Sequence, residues 1–140
     1  MLRRCAARLL TCWLACGLTQ LWDLAAGKTL STLTHHKKSI RAMVSHPRQF
    51  TFASGGSDKI KKWQLPKGKF LQNLEGHNSI VNCMALNGDD VLVSGGDSGT
   101  LNFWDYHTGH RFFQTETKVQ PGSLDCEAGF FAMCFDQTGR

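Results

Sequence analysis

Proline is scarce in this sequence, at three residues in 140, which excludes a proline-rich linker and argues against a low-complexity tail. No apolar run reaches the roughly 18 residues that a membrane-crossing helix needs, so a polytopic helical membrane protein is excluded. There is no N-x-S/T sequon and no C-x-x-C pair of the kind that holds zinc or cycles redox state. A phosphate-cradling glycine loop is missing, and so is any pair of carboxylates at a spacing suited to acid–base chemistry. What is present is a globular balance: 41% hydrophobic residues, 19% charged residues and 14 glycines. The glycines point to many tight turns, and the length suits one ordinary domain. Sixteen basic against eleven acidic residues make the chain mildly basic, at +5.

Six cysteines (5, 12, 16, 83, 126 and 134) form an even set, but no histidine lies near enough in sequence to complete a metal site. They are expected to be reduced and mostly buried thiols. The first residues, MLRRCAARLLTCWLACGL, imitate a secretory signal, with Arg3, Arg4 and Arg8 before a short apolar stretch. That stretch is broken by Thr11, and cleavage near Gly17 would open the mature chain inside a strand. Residues 1–17 are therefore set aside as a degenerate or artefactual start to a truncated chain.

The dominant signal is a period of 41. Trp22, Trp63 and Trp104 recur at that interval, each followed five residues later by Gly27, Gly68 or Gly109. His36 and His77 keep the same interval, and TFASGG (51–56) returns as VLVSGG (91–96). Four alternating runs bounded by turn residues fill each complete unit: Ile40–Val44, Phe50–Ser54, Ile60–Gln64 and Phe70–Leu74, then Val81–Leu86, Val91–Ser94, Thr100–Asp105 and Arg111–Thr115. Four short strands per 41 residues describe a propeller blade of the WD40 type. The fold class is thus all-β, with an incomplete set of about 3.4 repeats. The chain divides into the end of a blade (18–34), two complete blades (35–75 and 76–117), and a long loop with the start of a further blade (118–140), Phe130–Asp136 being its first strand.

Within a blade, His36, Ser54, Asp58 and Trp63 are expected to form a hydrogen-bonded chain, and His77, Ser94, Asp97 and Trp104 a second. An imidazole between a carboxylate and a hydroxyl that also takes the indole N–H leaves few buried polar atoms unpaired. Other constellations have plain structural readings. Gly96-Asp97-Ser98-Gly99 resembles a protease nucleophile turn, but the preceding unit holds Gly55-Gly56-Ser57-Asp58 there, so it reads as a repeated turn. His107-x-x-His110 occupies the place of Lys67-Gly68-Lys69, another turn. No catalytic, cofactor or metal residue is assigned. Charge is more telling: residues 35–69 hold nine Lys or Arg and one acid, Asp58. Lys37, Lys38, Arg41, Lys59, Lys61 and Lys62 make a candidate contact face for RNA or an acidic partner. Lys62 is odd, because Phe103 fills its place one unit later and an apolar residue is expected there.

LTHHKKSIRAM (33–43), HPRQFTFASGGSDKIKKWQLPKGKF (46–70), VLVSGGDSGTLNFWDYHTGHRF (91–112) and VQPGSLDCEAGFFA (119–132) resemble segments of the pleiotropic regulator family of spliceosome-associated WD-repeat proteins. The likeness covers about residues 18–140, and generic WD repeats do not share the last stretch. It implies the later blades of a seven-bladed propeller. It also implies a nuclear, non-catalytic scaffold of the NineTeen-complex group, binding spliceosomal proteins near small nuclear RNA, with no cofactor, membrane or small-molecule substrate. The alternative is a substrate-recognition adaptor of a cullin-type ubiquitin ligase, which plant relatives serve through Trp-Asp-x-Arg. Here Trp22-Asp23-Leu24 is followed by Ala25, Trp104-Asp105-Tyr106 by His107, and Trp63 by Gln64, so that motif is missing.

Overall fold

The computed structural model describes residues 2–5, 9–13, 17–57 and 59–136. They form three four-stranded antiparallel sheets, each built from strands consecutive in sequence. The first holds β1 (Leu2–Cys5), β2 (Leu9–Trp13), β3 (Thr19–Asp23) and β4 (Lys28–Leu33). The second holds β5 (Ile40–Ser45), β6 (Thr51–Gly56), β7 (Ile60–Gln64) and β8 (Lys69–Leu74). The third holds β9 (Val81–Leu86), β10 (Val91–Gly96), β11 (Thr100–Asp105) and β12 (Arg111–Glu116). Successive side chains of a strand face opposite sides, so the middle sheet must be apolar on both. Ala42, Val44, Ala53 and Ile60 pack with Val81, Met84, Leu92 and Trp104 of the third sheet. Met43, Phe52 and Trp63 turn the other way, onto Leu21 and Leu33 of the first. The core is therefore two apolar layers, one on each side of β5–β8.

Two regions differ from their sequence reading. Residues 1–17, set aside above, contribute β1 and β2, and β2 pairs with β3 in register from Leu9↔Asp23 to Trp13↔Thr19. The first sheet is four-stranded rather than the tail of a blade. Phe130–Asp136, read as the first strand of a further blade, carries no ladder in this structure. It runs alongside the third sheet instead, where the Phe130 N–H donates to the Gly96 carbonyl at 3.1 Å. The approach is close because Gly95 has no side chain. A Cβ there would sit 2.6 Å from that of Phe130 and 2.8 Å from the Cys83 Sγ and the Met133 Cε. Of the cysteines, Cys83 is buried but Cys134 is exposed, and both are free thiols.

The same hairpin closes each sheet. Gly27, Gly68 and Gly109 all sit at positive φ, between 63 and 76°, which glycine adopts without steric cost. Immediately beyond, each ladder shifts register by one. Leu21↔Ser31 is followed by Trp22↔Thr29, Lys62↔Gln72 by Trp63↔Phe70, and Phe103↔Phe113 by Trp104↔Arg111. A β-bulge thus stands beside every repeated tryptophan. The residues it leaves without a partner are Leu30, Leu71 and Phe112.

Candidate functional site

In the middle sheet, β6 carries Ser54 and β7 carries Trp63 on one face, and the loop before β5 brings His36 to them. The His36 Nε2 lies 2.8 Å from the Ser54 Oγ, which also accepts the Trp63 Nε1–H at 2.8 Å. Asp58, the fourth expected member, lies outside the described residues. The third sheet repeats the pattern: His77 Nε2 is 2.6 Å from the Ser94 Oγ, and Trp104 Nε1–H donates to that oxygen at 2.7 Å. A Ser–His contact of this length could activate a nucleophile. Here both hydroxyls are fully buried behind an indole, so no substrate can reach them.

Asp97 does not join His77. Its Oδ1 accepts from the half-buried Asn82 Nδ2 at 3.1 Å, and Asn82 Oδ1 in turn accepts from Arg41 Nη1 at 3.1 Å. The reason is turn length. The β10–β11 connection between the paired Gly95 and Leu101 is one residue longer than that between Gly55 and Ile60, and the carboxylate comes one place earlier. Asn102 Nδ2 reaches His77 Nε2 at 3.0 Å instead, while His77 Nδ1 and Asn102 Oδ1 are buried without a partner. Burial, with the Arg111 guanidinium adding to it, pulls the His77 imidazole down to about 4, against a weaker opposing effect of Ser94. This ring stays neutral in the folded protein at ordinary pH.

The basic residues of 35–69 do not make one face. Lys37 and Lys38 are exposed in the loop before β5, and Arg41 belongs to the Asn82–Asp97 chain just described. Lys59 pairs with Glu75, and that hydrogen bond holds the Glu75 carboxyl below its ordinary range. Lys61 is buried, donating to Asn73 Oδ1 at 3.1 Å over the Phe70 ring. Lys62 is buried as well: its Nζ donates to the Tyr106 carbonyl at 2.7 Å and lies 4.1 Å from the centre of the Tyr106 ring. Burial lowers its pKa, while Asp90 and Asp105 oppose that shift. The apolar residue expected at 62 is replaced by a cation whose stem packs and whose head finds a carbonyl in the next sheet. Lys61 and Lys62 are thus withdrawn from the contact face. Lys62→Ala is expected to lower stability by about 2–3 kcal/mol, since it removes packing, a hydrogen bond and a cation–π contact together. Lys62→Met keeps the stem and relieves a buried charge, so its cost should stay below about 1 kcal/mol in a urea titration.

The sequence did not single out a second junction between these sheets. His46 Nδ1 accepts the backbone N–H groups of Arg48 and Gln49, which leaves Nε2–H to donate to Asp90 Oδ1 at 2.6 Å. Tyr106 lies beside His46 and donates its hydroxyl to Thr51 at 3.2 Å. In sequence His46 and Asp90 sit in HPRQ and NGDD, which read only as solvated turns. Ser98, the notional nucleophile, is an exposed turn residue whose hydroxyl meets Thr100. Among the described residues no group of three His, Cys, Asp or Glu could hold a metal ion. No described helix is long and apolar enough to cross a membrane.

Comparison with known proteins matches the WD domain, G-beta repeat family over residues 27–64 and 68–105. Each matched unit runs from the outer strand of one sheet through the three inner strands of the next. The chain is 52% identical over 114 residues to the protein pleiotropic regulator PRL2 of Arabidopsis thaliana, covering 81% of this chain and 24% of that protein. It is 59% identical over 97 residues to pleiotropic regulator 1 of Homo sapiens, covering 69% and 19%. It is 60% identical over 105 residues to the pre-mRNA-splicing factor prp46 of Emericella nidulans, covering 75% and 23%. The chain therefore spans about a quarter or less of the length of these curated relatives.

Proposed function

The chain belongs to the WD40 family of WD domain, G-beta repeats, and from that premise we propose that it is a non-catalytic scaffold of pre-mRNA splicing. It holds spliceosomal proteins of the NineTeen-complex group together in the nucleus, close to small nuclear RNA. One observation carries the reading: a protein named as a pre-mRNA-splicing factor shares 60% of 105 residues with it, three quarters of this chain. The physical character of the sheets supports it. Their polar chemistry is spent inside, on Ser54, Ser94, Lys61 and Lys62, so what they offer outward is turns, strand edges and loops. Such surfaces bind other chains without reacting with them.

The adaptor role in a ubiquitin ligase has no comparable support, because neither Trp-Asp pair is followed by arginine at the needed place. Purification of the protein at its native length from nuclear extract separates the two. Spliceosomal proteins and small nuclear RNA are expected in the eluate. An eluate holding cullin-type ligase subunits instead, or neither set, would sink the splicing reading.

A further inference from the structure

The bulges described above set three large apolar residues in water at one repeat position. Leu30, Leu71 and Phe112 are each the unpaired extra residue on the outermost strand of a sheet. Their exposures are 49%, 40% and 56%, although Phe112 leans on Phe103 with ring centres 6.3 Å apart. A bulged residue bonds to no neighbouring strand, so the ladder puts no constraint on its type. A polar residue there would cost the fold little, yet this sequence has an apolar one in all three sheets. Exposed apolar residues scattered singly need no explanation, but a periodic set on equivalent edges does.

An exposed basic or imidazole side chain precedes each of them on its strand, although Asp23 stands across the ladder from Lys28 and Glu75 follows β8. Two residues before each comes Lys28, Lys69 or His110, and all three are exposed. Neither β4 nor β8 contains an acid, and β12 has only Glu116 at its far end. A groove of about 280 Å³ beside Leu30 is lined by Leu30, Ser31, Pro66 and Lys67, so apolar and cationic surface from two sheets meets there. We infer that the row Leu30, Leu71 and Phe112 is a docking surface on the outer rim. Its partner is a segment of another protein that carries apolar side chains interspersed with carboxylates. The apolar residues anchor the segment, and Lys28 and Lys69 select its charge. This deepens the scaffold reading and rests on it only in taking the partner to be a protein.

The test places a photo-reactive amino acid at position 30, 71 or 112 of the native-length protein in its own cells, followed by identification of the adducts. One recurring acidic, apolar-studded segment should be recovered from at least two of the positions. A synthetic peptide of that segment should then lose at least tenfold in affinity for the purified Leu30→Ser, Leu71→Ser, Phe112→Ser triple variant. It should also lose most of its salt dependence with Lys28→Glu and Lys69→Glu. Since all five positions are exposed, the variants should keep the parent's melting temperature, which reads folding apart from docking. Adducts without a recurring segment, adducts to nucleic acid, or adducts to a second copy of this chain would each overturn the inference. So would a peptide that binds the triple variant as tightly as the parent. A recurring acidic segment from a protein outside the spliceosome would leave the rim surface standing and count against the splicing reading alone.

Discussion

Trp104→Ala should destabilise the protein by about 3–5 kcal/mol, the largest effect expected of any single substitution in the third sheet. Trp104 is wholly buried, packs in the layer between the second and third sheets, and gives its N–H to Ser94. Truncation leaves a cavity the size of an indole in a layer that two rigid ladders cannot collapse to fill. Trp104→Phe isolates the polar share: it keeps most of the ring but removes the donor, and should cost about 1–2 kcal/mol for the hydrogen bond with some packing loss. Trp22, at the same repeat position, is only half-buried, so Trp22→Ala should cost clearly less. Urea midpoints of the three variants check the ranking. Equal losses for Trp22→Ala and Trp104→Ala would show that the layer between the second and third sheets does not carry the load assigned to it.

Stability should also fall between pH 6.5 and about 4 because of His77. Its imidazole titrates near 4 when folded, against an ordinary value of 6.5 when unfolded. Above 6.5 the ring is neutral in both states and the difference has no effect. Below that, the unfolded chain takes up a proton that the folded one refuses, so unfolding is favoured progressively until about pH 4, where both forms are charged. The full shift would correspond to roughly 3 kcal/mol. Because the ring is not fully sealed from water, a loss on the order of 2 kcal/mol is the better expectation. Glu75, Asp105 and Glu127, whose carboxyls are held low by their hydrogen bonds, act on the acid side of this window. His77→Gln should therefore flatten the profile between pH 6.5 and 4 while leaving the drop at lower pH. A His77→Gln profile that still falls across that window would mean another group is responsible.

Strand positions were legible because alternation and turn chemistry are local properties. Ile60–Gln64, Val81–Leu86 and Thr100–Asp105 coincide with β7, β9 and β11, and the other strands of both complete sheets differ by a residue or two at their ends. What escaped the sequence was pairing at long range. Lys62 broke the apolar pattern visibly, but its acceptor lies 44 residues away, in a turn of the next sheet. Asp97 matched the expected residue type, and only the extra residue in its turn, visible once the ladder register is known, sends it to Asn82 instead. β1 and β2 were hidden because their composition, basic then apolar, also describes a targeting segment. The bulges were invisible for a related reason: a one-residue shift leaves residue types unchanged and shows only in which partner each one faces. Phe70-Leu71 and Phe112-Phe113, each two apolar residues in a row on an outer strand, are the traces they left.

Those shifts also bear on how the sheets are arranged around one another. A bulge bends its strand and steepens the local twist, and here the bend falls at the same step of the outermost ladder in each sheet. Three sheets bent alike can stack with a constant rotation from each to the next. A constant rotation is the geometric condition for a circle; unequal ones would accumulate into a spiral or a jammed stack. Regularity at residues 30, 71 and 112 would therefore work as a protractor, giving the first and second sheets the same angle as the second and third.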